Sequence, residues 1–364
     1  MPIFSLCNVN SQLVSIIIPN FNRAKIISET LDSIYNQTYS NWEAIIVDDE
    51  SNDLSQNVVE SFVEKDKRFF FIKRSRSPKG APTCRNIGIE HAKGKYIIFL
   101  DSDDLLAPYC LEQRVDYMQK NQNLDFAVFP MLVFTNKPGD SNVIWNSLDE
   151  RNDLQRFLHL DLPWQTTSPI WKSESLIKVG LWDELAMNWQ DWDFHIRALV
   201  ANCVYAKVKV LPDCFLRRNV DVSRISEHNI TLQRFKSRIR LFEKILALIT
   251  SVSTLQLTYK NVFAGHFIKI MEQIIVNRVP IRITTVLDIV NKYKLVNKYY
   301  EYIVWLYLLV FRFFSNNRFT IIRSGLYKAI RYILPPSILE TGSTHFKVKL
   351  KDEEMAEVKK YLFK

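Results

Sequence analysis

The chain has 364 residues, of which 47% are hydrophobic and 24% charged, so a wholly disordered protein is excluded. It contains only 8 glycines and neither of the common glycine-rich phosphate-binding motifs, G-x-G-x-x-G or G-x-x-x-x-G-K-[ST]. The net charge of +9 is uneven, because residues 231–364 carry 23 Lys and Arg against 9 Asp and Glu, whereas residues 1–230 carry 25 against 30. A basic segment of this kind is typical of proteins that meet an anionic partner or expose a solvated helical surface.

Strands and helices alternate in the first hundred residues. Four short apolar runs predict strands, at Val14–Ile18, Trp42–Val47, Phe69–Ile72 and Tyr96–Leu100. Apolar residues at helical spacing predict helices between them, near residues 26–35, 58–63 and 85–92. This alternation predicts an α/β fold with a mostly parallel central sheet.

Polar clusters follow three of these strands, at Asn20–Arg23, Asp48–Asp53 and Asp101–Asp104. In a parallel sheet the strand C-termini share one edge, and ligands bind beyond that edge. We therefore expect the three clusters to meet at one crevice.

The pattern becomes mixed after Leu105. Residues 126–129, 131–134 and 204–211 predict further strands, and residues 150–200 predict helices and loops rich in Trp. From about residue 230 the spacing is helical and glycine is scarce. We therefore expect an N-terminal tail at 1–12, an α/β domain at 13–230 and a basic, aromatic-rich helical domain at 231–364.

Asp101-Ser102-Asp103 places two carboxylates on a turn that leaves an apolar strand. Such a pair can present oxygen atoms to one hard cation, Mn²⁺ or Mg²⁺, with water and phosphate oxygens completing the coordination. An aspartyl-phosphate phosphatase is a rival interpretation of D-x-D. Its nucleophile would normally follow the first strand and precede D-x-[TV], and neither condition holds here.

Several ordered motifs resemble those of the family 2 inverting glycosyltransferases, which have a GT-A fold. They are Val14–Arg23, Gln37–Tyr39, Ile46–Asp49, Arg85–Ile89, Phe99–Asp104 and Gln190–Asp193, and the resemblance covers residues 13 to about 225. It implies transfer of a sugar from a nucleotide-diphosphate sugar, expected to be a UDP-sugar, to a hydroxyl acceptor with inversion at the anomeric carbon. The expected products are cell-surface polysaccharides or glycoconjugates.

The resemblance also implies a role for each matched residue. The expected nucleotide-sugar-binding residues are Pro19, Asn20, Phe21, Asn22, Asp49, Arg85, Asp101 and Ser102. Asp103 is the expected principal metal ligand, with Asp101 beside the ribose and the metal. Asp191 is the expected general base, since a single displacement needs a carboxylate to take the acceptor proton. Gln190, Trp192 and Arg218 are expected on the acceptor side, and Asp193 is expected to be a structural neighbour.

The chain departs from the family pattern at two positions. Glu50 replaces the Gly of Asp-Asp-Gly-Ser, so either Glu50 adopts a glycine-like backbone or the turn differs. Gln190 replaces the usual Glu before the base, which removes a charge. Arg217, Arg218 and Arg224 could close over the diphosphate, and His228 could add a metal ligand. Of the tryptophans at 164, 171, 182, 189 and 192 we expect about two to meet sugar and the rest to pack in the core.

The C-terminal region matches no motif that we recognise. Tyr299–Phe314 is almost wholly apolar and flanked by Lys and Arg, which is typical of a buried helix or one at an anionic membrane surface. Oligomerisation is the competing use of the same surface, and nucleic acid fits poorly with an acidic body. The odd count of 5 Cys without C-x-x-C favours a reducing compartment, so we expect a cytoplasmic protein with peripheral contact at the inner membrane face. The expected partners are the nucleotide-sugar donor and a saccharide or lipid-linked saccharide acceptor. A non-catalytic sugar-nucleotide-binding scaffold is the alternative function.

Overall fold

A computed structural model describes residues 12–218, 231–252, 259–314, 320–335 and 345–362. The N-terminal part of these residues alternates strands and helices. Its strands are β1 (Val14–Asn20), β2 (Trp42–Asp48), β3 (Phe69–Lys73), β4 (Tyr96–Phe99), β5 (Leu105–Leu106), β6 (Phe126–Val128), β7 (Met131–Phe134), β8 (Pro169–Lys172), β9 (Tyr205–Lys207) and β10 (Cys214–Arg217). Its helices are α1 (Ile27–Tyr35), α2 (Ser55–Lys65), α3 (Ala81–His91), α4 (Cys110–Lys120), α5 (Asp153–Leu158), α6 (Leu176–Val179) and α7 (Gln190–Val200).

Seven strands form the central sheet, in the order β3-β2-β1-β4-β8-β6-β9. The first four are mutually parallel, while β8 runs antiparallel to both of its neighbours and β6 is parallel to β9. The expected mostly parallel sheet is therefore confirmed. A second sheet of three short strands, β5-β10-β7, lies next to the acidic segment that follows β4.

β1 is buried on both faces, which explains its continuous apolar sequence. Ile16 and Ile18 belong to a cluster with residues of α1 and α4, whereas Ile17 belongs to a second cluster on the opposite face. Helix α3 covers that second face at close range. A Cβ atom on Gly88 would lie 2.3 Å from Cγ2 of Ile17, so only glycine allows this approach.

The C-terminal part is helical, as expected. Its helices are α8 (Leu232–Ser251), α9 (Lys260–Val276), α10 (Ile283–Lys292), α11 (Lys298–Phe313), α12 (Thr320–Ile333) and α13 (Asp352–Leu362). Helix α8 packs on α7, α9 on α8, and α11 on α9. One hydrophobic cluster runs from β1 and β4 through α7 into α8, α9 and α11, so the two expected domains share a core. No helix among the described residues is both long and apolar enough to cross a membrane.

The last described segment returns to the three-stranded sheet. Lys349 forms an antiparallel bridge with Val143, and Met355 and Val358 of α13 pack against Leu105 and Phe215. The strands that support the acidic segment are therefore covered by residues from the far end of the chain.

Candidate active site

The ends of three parallel strands meet at one edge of the central sheet, as expected from the sequence. The Nδ2 of Asn20, at the end of β1, donates to Oδ1 of Asp48, at the end of β2, at 2.8 Å. Asp48 also accepts from the backbone N–H and the hydroxyl of Ser51, at 2.8 and 2.6 Å. These bonds fix the turn after β2 against the turn after β1.

Asp49 is buried beside a guanidinium group that sequence reasoning missed. The Nε of Arg74 donates to Oδ1 of Asp49 at 2.6 Å, and the backbone N–H of Gly80 donates to the same oxygen at 3.2 Å. Burial raises the pKa of Asp49, while the bonds from Gly80 and Arg74 oppose that rise. Arg74 directly follows β3, and its position at a strand end is the signal that could have identified it.

Glu50 adopts the backbone conformation that the missing glycine would favour, with φ of 62°. Its carboxylate lies 2.6 Å from Nη2 of Arg74, so Arg74 pairs with both Asp49 and Glu50. Glu50 therefore keeps a positive φ without being glycine, and the Arg74 ion pair offsets part of the cost of that conformation.

The segment after β1 combines buried and exposed groups. Pro19 and Asn20 are buried, whereas Phe21 is 40% exposed. The Nζ of Lys79 lies 3.7 Å from the centre of the Phe21 ring, so one face of the ring already carries a cation. Asn22 has φ of 51° and its backbone N–H donates to Oγ of Ser51 at 2.9 Å.

The acidic segment after β4 presents two of its carboxylates to the crevice. The side chains of Asp101 and Asp103 are 34% and 20% exposed, while Ser102 and Asp104 are buried. Nη2 of Arg23 lies 3.8 Å from Oδ2 of Asp103. Arg23 is the last residue of the polar cluster after β1, and the sequence analysis did not predict its contact with Asp103.

Asp104 has a structural role. It accepts hydrogen bonds from the side chains of Gln165 and Thr167 and from the backbone N–H of Arg217. Burial raises the pKa of Asp104 well above its ordinary value, and the charges of Asp103 and Asp101 add to that rise. The acidic segment thus concentrates negative charge that a bound cation would offset.

Asp101 and Asp103 fit a hard divalent cation by donor chemistry and by exposure. Carboxylate oxygens are the ligands that Mg²⁺ and Mn²⁺ prefer, and the hydrogen bond from Arg85 is made to Oδ1 of Asp101. Across the described ranges, no cluster of three or more His, Cys, Asp or Glu side chains could hold a metal by itself.

Arg85 connects the acidic segment to helix α7. Its Nη2 donates to Oδ1 of Asp101 at 2.6 Å, and its Nη1 donates to Oε1 of Gln190 at 2.9 Å. The guanidinium is buried and lies 4.5 Å from the centre of the Trp182 ring. The Arg85 guanidinium therefore joins Asp101, which follows β4, to Gln190, the residue before Asp191.

Asp191 lies in the first turn of α7. Its Oδ1 accepts from the backbone N–H of Trp192 at 2.9 Å, and Trp189 immediately before the helix has φ of 60°. Burial raises the pKa of Asp191, the Trp192 N–H and Arg85 oppose the rise, and Asp101 adds to it. A carboxylate with a raised pKa is a better proton acceptor than an ordinary surface aspartate.

Most of the tryptophans lie in the core. Trp192 is buried, and its Nε1 donates to the backbone oxygen of Phe157 at 2.8 Å, so its indole lies in the core. Trp164, Trp171 and Trp182 are buried as well, and only Trp189 of this group is partly exposed. The expected Trp192 contact with the acceptor is therefore not what the geometry favours.

The arginines after β9 divide between two roles. Arg217 is buried and donates to the backbone oxygen of Asp103 at 3.0 Å and to Glu29 at 2.7 Å, so it supports the acidic segment from behind. Arg218 is exposed, and the Cζ of its guanidinium lies 4.3 Å from the centre of the Phe346 ring. Arg224 and His228 lie outside the described residues.

Comparisons with known proteins agree with this geometry. Residues 15–179 match the model of glycosyl transferase family 2. An uncharacterized glycosyltransferase of Methanocaldococcus jannaschii is 31% identical over 52% of this chain and 66% of its own length. A UDP-Glc:α-D-GlcNAc-diphosphoundecaprenol β-1,3-glucosyltransferase of Escherichia coli is 38% identical over 32% of this chain and 45% of its own length. A putative teichuronic acid biosynthesis glycosyltransferase of Bacillus subtilis is 35% identical over 30% of this chain and 42% of its own length. The alignments thus cover less than two thirds of these relatives.

The fold has a counterpart among solved structures. Staphylococcus aureus TarS, residues 1–349 in complex with UDP-GlcNAc, superposes with a TM-score of 0.62 at 15% identity. That superposition covers 88% of this chain and 92% of TarS 1–349, so it extends into the C-terminal helices. The family match, the strand-end acids and the shared GT-A fold lead to one conclusion: residues 15–179 of this chain form a glycosyl transferase family 2 domain.

Proposed function

We propose that the chain transfers a sugar from a UDP-sugar to a hydroxyl group of a saccharide or lipid-linked saccharide, with inversion at the anomeric carbon. The observation that carries this proposal is the Arg85 bridge, which holds Asp101 and Gln190 within hydrogen-bonding distance of one guanidinium. Asp191 follows Gln190, and the charges of Arg85 and Asp101 act on its pKa, which supports a site shared by the donor-side acids and the proposed base.

The proposed reaction is a single displacement. The acceptor oxygen forms a bond to the anomeric carbon as the bond from that carbon to the β-phosphate oxygen breaks, and UDP leaves. Asp191 takes the proton of the acceptor hydroxyl. General-base catalysis of this kind raises the rate by about 10²–10⁴. Inversion follows because the acceptor attacks the face opposite the leaving group.

On the donor side, Asp103 and Asp101 would hold Mn²⁺ or Mg²⁺, which when bound offsets the charge of the departing diphosphate. Arg85 keeps Asp101 oriented through its 2.6 Å bond. Asp49, flanked by Arg74, would accept a hydrogen bond from the nucleobase or ribose, with Pro19, Asn20, Phe21 and Asn22 beside it. Gln190 and Arg218 remain candidates for contact with the acceptor.

The choice of donor and acceptor rests on relatives. The E. coli relative is named for UDP-Glc and for an acceptor on diphosphoundecaprenol, and TarS was solved with UDP-GlcNAc. The B. subtilis relative is named for teichuronic acid biosynthesis. These names favour a UDP-sugar and a cell-surface polymer. The described cysteines at 84, 110, 203 and 214 are free thiols, which suits the reducing cytoplasm where we propose that the enzyme acts.

The test is a panel of UDP-, GDP- and dTDP-sugars, with release of nucleoside diphosphate measured with Mn²⁺, with Mg²⁺ and with chelator. We expect release from a UDP-sugar that requires metal. Asp103→Asn should lose the metal-dependent part of UDP affinity in calorimetry, because a neutral amide is a weaker ligand for a hard cation.

Asp116→Asn is the matched control. Asp116 is exposed on α4, where it pairs only with Lys120, and its loss should leave UDP affinity unchanged. Metal-dependent affinity that persists in Asp103→Asn would remove Asp103 from the site. Metal-dependent UDP binding without release on any acceptor would favour the scaffold alternative instead.

A further inference from the structure

Helix α11 has two opposite apolar faces, and within the described ranges only one of them is packed. Val304, Tyr307, Leu308 and Phe311 are buried in the cluster that contains α9. The opposite face is exposed and recurs at helical intervals of three and four residues. It comprises Tyr299, Tyr302, Trp305, Leu306, Leu309 and Phe313, with exposures of 45% to 81%.

Helix α12 also carries exposed apolar side chains. It contacts α11, and its Ile321, Ile322, Tyr332 and Ile333 are 43% to 92% exposed. We call these ten side chains of the two helices the α11–α12 surface. They make up ten of the nineteen exposed large hydrophobic side chains in the described chain. Apolar exposure of this density marks an interaction site in a folded protein.

Positive charge borders the α11–α12 surface. Residues 298–335 contain six Lys and Arg but only one acid, Glu301. Lys298, Arg312 and Lys328 are exposed on the same two helices. An exposed apolar surface with basic residues on the same helices is complementary to the boundary between the acyl chains and the anionic headgroups of a bilayer.

The residue types and the charge favour lipid over a second copy of the chain. Tyr and Trp carry an apolar ring and a polar tip, and they concentrate at the headgroup level of membranes. Two copies meeting through this surface would bring two basic segments together, which costs electrostatic energy. Because α11 is too short and too charged at its ends to span a bilayer, the contact is with the surface.

We propose that the α11–α12 surface binds an anionic bilayer, with the aromatic side chains inserted at the headgroup boundary and the basic residues on the phosphates. The contact goes beyond sugar transfer and does not depend on it, since it needs neither donor nor acceptor. The stack α7, α8, α9, α11 would then connect the crevice to the membrane, where a lipid-linked acceptor would lie.

The experiment is sedimentation of the full chain with vesicles of phosphatidylcholine alone or mixed with phosphatidylglycerol. At about 0.1 M salt we expect binding to the phosphatidylglycerol vesicles only, weakening at about 1 M as the Debye length falls from about 10 Å to 3 Å. Trp305→Ser with Phe313→Ser should weaken binding about tenfold or more, and so should Lys298→Glu with Arg312→Glu.

Two exposed residues elsewhere provide matched controls. Ile177→Ser on α6 removes an 86% exposed apolar side chain, and Lys209→Glu reverses a 75% exposed charge, and both should leave binding unchanged. Circular dichroism and light scattering on every variant confirm folding and report oligomeric state. Failure to bind phosphatidylglycerol vesicles at low salt would overturn the proposal. So would binding that the controls reduce as much as the α11–α12 variants, or a stable oligomer that Trp305→Ser with Phe313→Ser dissociates.

Discussion

Glu50 departs from the family pattern, yet its backbone adopts the positive φ that glycine would favour. The carboxylate of Asp48 holds the N–H of Ser51, and Arg74 pairs with both Asp49 and Glu50. These contacts compensate for a φ of 62°, which a residue with a side chain adopts at a cost of about 1 kcal/mol or more. The carboxylate of Glu50 thus helps to hold Arg74 beside Asp49 in the proposed nucleotide pocket.

The first prediction separates the backbone cost at Glu50 from its ion pair. Glu50→Gly and Glu50→Ala both lose the contact with Arg74, but only alanine keeps a Cβ at this φ. The glycine variant should therefore be more stable to urea unfolding than the alanine variant by about 1 kcal/mol. Equal free energies of unfolding for the two variants would show that the positive φ carries no cost here.

Gln190 is the second residue that departs from the family pattern. As a neutral acceptor it keeps a 2.9 Å bond from Arg85 and leaves Asp101 as the anion paired with that guanidinium. A glutamate at this position would place a second negative charge next to Asp191. The substitution therefore avoids a further, electrostatic rise in the pKa of Asp191 on top of the rise that burial causes.

At the scale of elements, α8 holds the segment that leads into α7. Asp183 accepts a bidentate hydrogen bond from Arg240 at 2.8 and 3.0 Å and a further one from Lys244 at 2.7 Å. Lys244 also lies 2.7 Å from Asp193 of α7, and Phe242 packs against Trp192. The C-terminal helices therefore help to fix the start of the helix that carries Asp191, and Asp193 is a structural neighbour, as its position suggested.

This junction predicts a pH-dependent contribution to stability. Burial alone would raise the pKa of Asp183, but the bonds from Arg240 and Lys244 lower it to about 2 from 3.8. Because the folded pKa is depressed, the stabilisation is complete above the unfolded pKa and is lost as the pH falls towards 2. It corresponds to about 2 kcal/mol at pH 7 and to about half of that near pH 3.

The measurement is urea unfolding of the unaltered chain and of Asp183→Asn at several pH values. The difference in free energy of unfolding should be largest at neutral pH and should shrink below about pH 4. Asp116→Asn, whose exposed ion pair has little weight, should show almost no difference at any pH. A constant difference for Asp183→Asn from pH 7 to pH 3 would contradict the role assigned to this ion pair.

At the scale of the whole molecule, sequence predicted best where burial alone determines structure. β1, β2 and β4 begin at the expected residues, because continuous apolar runs buried on both faces leave few alternatives. The meeting of three polar clusters followed from the parallel sheet. Positive φ at Glu50 was one of the two outcomes that the missing glycine left open, because the sequence does not show which the turn adopts.

Features that depend on distant parts of the chain could not be predicted. The expected strand at 204–211 is reduced to Tyr205–Lys207, which pairs only with the short β6. Trp192 packs against Phe242 of α8, and no sequence motif indicated where α8 would pack. The bridge between Val143 and Lys349 joins residues more than two hundred positions apart, so local patterning held no signal for it.

The proposed sugar transfer depends on Asp191 as the proton acceptor. Its most direct test is steady-state transfer by Asp191→Asn with the donor and acceptor that the unaltered chain uses fastest, alongside calorimetry of UDP-sugar binding. We predict binding within about twofold of the unaltered chain and kcat lower by about 10²–10⁴. For the unaltered chain, kcat should fall on the acid side at a pH above 3.8, since burial raises the pKa of Asp191. A kcat for Asp191→Asn within about twofold of the unaltered value, with Asp116→Asn as control, would contradict the account and place the base elsewhere.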